Sequence, residues 1–170
     1  YVESFKNLGA GQNNFSTFPI NNQNSNNFTI NDLSNLIAPT VTKMMESFKN
    51  FQTEIQQHPN IYFDNLNKWV SQIANLNFYF VTRASGGIAN PVIFEEKTDK
   101  RFSNEEWKTN LFFDFIKQFY LISANFMNNL IENVEFKNPK DKRIMQFYLK
   151  QLNSALSPSN FAFTNPEVLK

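Results

Sequence analysis

Acid–base or metal chemistry in this chain would have to come from one acidic stretch. Glu95, Glu96, Asp99, Glu105 and Glu106 crowd together there. Neighbouring carboxylates can divide the roles of general acid and base, or hold a hard cation. Lys97, Lys100 and Arg101 are interleaved with them, however, which reads as a solvated, self-neutralising surface. His58 is the sole histidine and precedes Pro59 in a polar helix break, so it reads as a surface residue. One histidine and no cysteine remove disulfides, thiolate metal sites, most triads and any cysteine nucleophile from these residues. The sequence also lacks a phosphate-cradling glycine loop, a paired-histidine zinc motif and a nucleophile elbow. The reading is therefore no catalytic, cofactor-binding or metal-binding residue.

The totals bound the rest. The 170 residues make one domain, with room for a disordered arm. A net charge of +1 gives no field for nucleic acid or an anionic membrane. No apolar run nears the roughly 18 residues of a membrane span, and no basic-then-apolar leader opens the chain. The first residue is Tyr1, which fits a trimmed or incomplete N-terminal end. The missing cysteines fit a reducing cytoplasm. Phenylalanine is the outlier, 20 of 170, and large aromatic areas let a short helical chain build a core.

The elements follow from period and punctuation. Residues 1–30 hold Gly, Pro and a dense Asn/Gln/Ser cluster with scattered Phe, and read as a disordered arm. Asn14 and Asn27 open glycosylation sequons that carry little meaning without a leader. Helical spacing begins at Asn31, with Leu33, Leu36 and Ile37 on a short face. Pro39 is expected to open a new helix carrying Val41, Met44, Met45, Phe48, Phe51 and Ile55. His58-Pro59-Asn60 breaks it. The next helix carries Ile61, Tyr62, Leu66, Trp69, Val70, Ile73, Leu76 and Phe80, and stops before Gly86-Gly87.

Residues 86–102 read as a loop with a short extended piece at Val92-Ile93-Phe94. Ser103 to Glu106 reads as a capping box opening one long helix over about 104–132. Trp107, Leu111, Phe115, Phe119, Ile122, Phe126 and Leu130 form its stripe, widened by Phe112, Ile116 and Tyr120. The stripe reads mainly as core, with an apolar partner surface as the alternative. Asn138-Pro139 caps a last helix to about 155, with Asp141 in its first turn. Pro158 and Pro166 push their predecessors towards extended geometry, so 157–170 is expected to be an extended segment. The fold class is mostly α, an irregular bundle of about four helices over 31–156.

Two stretches carry a family likeness. "DKRFSNEEWKTNLFFDFIKQFYLIS", Asp99 to Ser123, resembles a signature of polyhydroxyalkanoate synthases, bacterial polyester polymerases. Asp99, Arg101, Phe102, Trp107, Asn110, Phe113, Gln118, Tyr120 and Leu121 fall on its positions. "QLNSALSPSNFAFTNPEVLK" is similar to the family's second, denser segment. There the matching residues are Ser157, Pro158, Ser159, Asn160, Phe161, Thr164, Asn165, Pro166 and Glu167. One departure stands out: Leu111 replaces the family's usual proline after Asn110.

The resemblance implies a helical N-terminal region, with these motif residues structural and 157–170 linking to a catalytic α/β-hydrolase-like domain. In the family that domain carries a cysteine nucleophile with His and Asp partners and polymerises (R)-3-hydroxyacyl-CoA. It is not among these residues, so the chain alone is expected to be inactive and to need no cofactor. The implied partners are that catalytic domain, the surface of a polyester granule and a second copy of the chain. The implied location is cytoplasmic, at granules. The alternatives are a non-enzymatic protein coating granules or lipid, and a vestigial truncated product.

Overall fold

The computed structural model describes residues Thr29–Leu169, so the disordered-arm reading of residues 1–28 and both sequon asparagines, Asn14 and Asn27, lie outside it. Contacts divide the chain into Tyr1–Ile37 and Ala38–Lys170. In the first unit Thr29 and Asp32 exchange the bonds of a capping box. The Asp32 amide donates to Thr29 Oγ1 at 3.2 Å, and the Thr29 amide to Asp32 Oδ2 at 2.9 Å. They open α1 (Ile30–Gln57), which runs through Pro39 without interruption. The expected new start at Pro39 is therefore corrected: the helix forgoes one backbone bond and continues.

α2 (Pro59–Ala84) begins where the break was expected, with His58 at the cap and Pro59 in the first turn. It ends as its glycines foretell. Gly86 takes a φ of 80°, and the Gly87 amide returns to the Thr82 carbonyl at 2.9 Å. A Cβ on Gly87 would meet Thr82 Cγ2 at 2.9 Å. The following loop forms no strand at Val92–Phe94.

The expected long helix is corrected to two. A 3-10 turn at Lys100–Phe102 leads to the short α3 (Glu106–Thr109) and then to α4 (Leu111–Asn133). Asn104, rather than Ser103, holds the start of α3, accepting from the Glu106 amide at 3.0 Å. Asn110 ends α3 in extended geometry, φ −82° and ψ 119°, and caps α4 by accepting from the Phe112 amide at 3.0 Å. α5 (Pro139–Ala155) starts as expected, with Asn138 accepting from the Lys140 amide. Asp141 does more than favour the helix dipole: it accepts from Ser47 Oγ and Asn50 Nδ2, tying α5 to α1.

α4 is the central helix. α2 runs antiparallel to it, since Tyr79 meets Asp114 at one end and Asn65 meets Asn133 at the other. α5 returns along another side, with Lys142 bonded to Glu132 and Asn153 to Tyr120. Three apolar clusters line α4. Phe102, Trp107 and Phe113 pack at its start, Leu76, Tyr79 and Ile122 at its middle, and Phe51, Leu130, Ile131, Val134, Met145 and Leu149 at its end. Burying each such side chain contributes about 1.5–3 kcal/mol. The aromatic stripe is split by this packing: Trp107, Ile122 and Leu130 are core, while Phe112 and Phe119 face solvent. Val70 and Phe80 are likewise exposed on α2.

Candidate functional site

The motif residues of 99–121 converge around Arg101. Asp99 grips the guanidinium with both oxygens, Oδ1 from Nε at 2.8 Å and Oδ2 from Nη2 at 2.7 Å. Its Oδ1 also accepts from the Arg101 amide, so one carboxylate fixes both the turn and the side chain. The guanidinium hydrogen bond holds the Asp99 carboxyl below the usual range. The same cation lies 5.5 Å from the centre of the Phe102 ring and 5.7 Å from that of Tyr120. Arg101 Nη1 donates to the Tyr120 hydroxyl, which donates to the Asn153 carbonyl at 2.7 Å. α5 is thereby bolted to α4 through a motif tyrosine.

Phe102 faces Trp107 edge-on at 5.0 Å, and Trp107 meets Phe113 at 5.8 Å. Phe102 and Trp107 are completely buried. Trp107 Nε1 is buried with no hydrogen-bond partner among the described residues, a cost of about 1–3 kcal/mol borne for the packing. Asp99, Arg101 and Tyr120 also line a 630 Å³ groove between the loop, α4 and α5, floored by Leu121, Ile131 and Leu149.

The second motif stretch does not run extended, and that expectation is corrected. Pro158–Asn160 is a 3-10 turn packed on α4, and the following residues continue in turns. Side-chain amides knit them. Asn160 Nδ2 donates to the Ser154 carbonyl at 2.7 Å, and Asn165 Nδ2 to the Ser159 carbonyl at 2.7 Å. Thr164 Oγ1 donates to the Pro158 carbonyl at 2.7 Å. Asn165 Oδ1 accepts from the Glu167 amide, an Asx turn across Pro166. Ser157 Oγ pairs with Ser159 Oγ at 2.8 Å. Ser157, Pro158 and Pro166 are buried, while Phe161 is half exposed and Phe163 largely so. Each of these bonds is made to residues of the same stretch or to the end of α5, not to the Arg101 cluster.

Periodicity passed over a third feature, a charged centre between α2 and α4. Asp114 is 1% exposed, accepts hydrogen bonds from three side chains and pairs with a fourth. Tyr79 donates its hydroxyl to Asp114 Oδ2, which Arg83 Nη1 also reaches at 3.0 Å. Gln118 Nε2 donates to Oδ1 at 3.1 Å, with Lys117 Nζ 3.5 Å away. Lys117 is 3% exposed and bridges at 3.2 Å to Glu95, which is thereby taken out of the solvated acidic surface expected for it. Gln118 Oε1 accepts from the Val92 amide at 2.7 Å and so pins the loop. Burial, then Asp114, pushes the Tyr79 phenol above its usual range. Buried charges are rare unless paired, and here every one is. The signal in the sequence was Asp114-x-x-Lys117 on one helix, an i,i+3 pair set among apolar neighbours. The helices of the described residues are none of them long and apolar enough to cross a membrane.

Sequence comparison with known proteins picks out the same stretches. Residues 98–170 match the family model of the poly-beta-hydroxybutyrate polymerase (PhaC) N-terminus, the region holding both motif stretches. A poly(3-hydroxyalkanoate) polymerase of Methylorubrum extorquens is 42% identical over 90 residues, covering 53% of this chain and 15% of that one. The polymerase subunit PhaC of Rhizobium etli is 38% identical over 89 residues, 52% of this chain and 14% of its own. That of Cupriavidus necator is 39% identical over 69 residues, 41% and 12%. The chain thus spans 12–15% of the length of these relatives. No solved structure matches it. Over residues 98–170 the chain is thus similar to the N-terminal region of poly(3-hydroxyalkanoate) polymerases.

Proposed function

We propose that this chain is the non-catalytic N-terminal domain of a polyhydroxyalkanoate synthase, with residues 31–156 as its helical body. Residues 157–170 form its connection towards the catalytic domain. The observation that carries this reading is what the motif side chains do. Asp99, Arg101, Tyr120, Asn160, Thr164 and Asn165 spend their hydrogen-bonding groups on the protein's own backbone and side chains. Residues so used shape a scaffold and leave little for a substrate. The chain has no cysteine, so no acyl-enzyme forms on a cysteine of these residues.

The domain's work is then to support the catalytic domain and to hold the enzyme at the polyester granule in the cytoplasm. Phe63, Val70, Phe78 and Val81 support the second part. They recur at helical steps along one exposed face of α2, with Phe78 73% exposed. An apolar polymer surface would gain about 25 cal/mol per Å² of such area buried. The purified chain should release no CoA from 3-hydroxybutyryl-CoA, and should raise polymer yield when added to a separate catalytic domain. Turnover by the chain alone, or no effect on the catalytic domain, would remove this reading. Sedimentation with polyester granules without any synthase present, combined with no effect on a catalytic domain, would favour a granule-coating protein instead.

A further inference from the structure

The charged centre between α2 and α4 opens into a cavity of about 540 Å³, within the range of small-molecule sites. Its wall is apolar, with Ala89, Pro91 and Phe94 facing Tyr79. Its charges do not cancel. Arg83, Lys97, Lys108 and Lys117 line it against only Glu95 and Asp114, four cations against two carboxylates. The buried Asp114 and the partly buried Glu95 are satisfied by Lys117, Arg83, Tyr79 and Gln118. Lys97 and Lys108 are exposed and form no ion pair among the described residues. Arg83 makes its bonds to Tyr79, the Lys108 carbonyl and Asp114 through Nη1 alone. Its Nε and Nη2 take no partner among the described residues. A guanidinium anchored by one nitrogen and open on the others is a pre-set fork for a planar anion.

From this juxtaposition we propose that the cavity binds a carboxylate carrying a short acyl chain. The carboxylate sits on the free edge of Arg83 between Lys97 and Lys108, and the chain lies along Ala89, Pro91 and Phe94. Both halves of the ligand are required. The rim supplies charge to an anion, and the apolar wall gives a bare inorganic anion nothing further.

The test is calorimetric titration of the full chain with hexanoate, with inorganic phosphate and hexanol as probes of the head and the tail. Saturable hexanoate binding is expected, at least ten times tighter than phosphate or hexanol. A Lys97→Gln, Lys108→Gln double variant should weaken it at least tenfold with an unchanged circular dichroism spectrum, since both side chains are exposed. Lys150→Gln, outside this cavity, should leave it unaltered. Absence of saturable hexanoate binding, equal binding of phosphate, or full affinity in the double variant would each overturn the proposal. None of these outcomes touches the polymerase-domain reading, which is read from polymer yield.

Discussion

Between α2 and α4 the polar bonds join residues distant in sequence, Tyr79 to Asp114 and Asn65 to Asn133. In residues 157–169 no side-chain bond spans more than six positions. The first region buries charge and depends on the partner helix being in place. The second buries no charge, its one ionisable side chain being the exposed Glu167, and its asparagines and threonine satisfy nearby carbonyls, so much of its shape is set locally. A change in the first should therefore be felt by the whole bundle, and a change in the second mainly by the segment itself.

The sharpest way to break that contrast is Asp114→Ala. It leaves Arg83 without a carboxylate and Lys117 with Glu95 alone, and removing one partner of a buried pair costs about 3–5 kcal/mol. Urea unfolding followed by circular dichroism should show that loss for the entire helical signal. Asn165→Ala removes the bond to Ser159 and the turn to Glu167, about 1–2 kcal/mol. Limited proteolysis should then cut within 157–169 while the unfolding midpoint of the bundle barely moves. If the midpoint fell as far as for Asp114→Ala, the division into global and local would be wrong.

Leu111→Pro is a smaller and opposite test. Leu111 is the first residue of α4, a place that needs no amide donor, and Asn110 already has the extended geometry that precedes proline. The substitution should be neutral or stabilise by up to about 1 kcal/mol, read as a raised midpoint. The least effect belongs to pH. The Asp99 carboxyl is held below its ordinary value by Arg101, so its stabilisation is present above the unfolded value, near 4. It is lost as pH falls below that through the folded value. Asp99→Asn should flatten the acid limb of stability against pH only slightly, because Arg101 is partly exposed.

Much of the frame was legible in local chemistry. His58-Pro59, Gly86-Gly87 and Asn138-Pro139 mark real helix ends because each acts through its own backbone. What escaped was decided elsewhere. Ser103 to Glu106 has the composition of a capping box, yet Asn110 competes for the start of the long helix and wins with its own side chain. Pro39 looked like a beginning because proline fits first turns, but α1 absorbs it. Apolar periodicity cannot see Asp114, Lys117 and Gln118, since it scores a buried ion network as polar surface. The terminal prolines suggested extension, whereas Asn160 and Asn165 fold the chain back upon itself. Of the family motif, the Arg101 cluster comes together in space, while Ser157 to Glu167 stays a separate knot.

Gln118 has a consequence for time as well as shape. The Val92 amide lies in a loop with no helix or strand to shelter it, yet it donates to a completely buried side chain that also holds Asp114. Such a proton leaves for solvent only when the loop detaches from α4. In hydrogen exchange, Val92 should therefore keep pace with the slow core of the helices, Ile93, whose amide reaches the same Gln118 oxygen at 3.4 Å, should follow it, and the rest of the loop should exchange early.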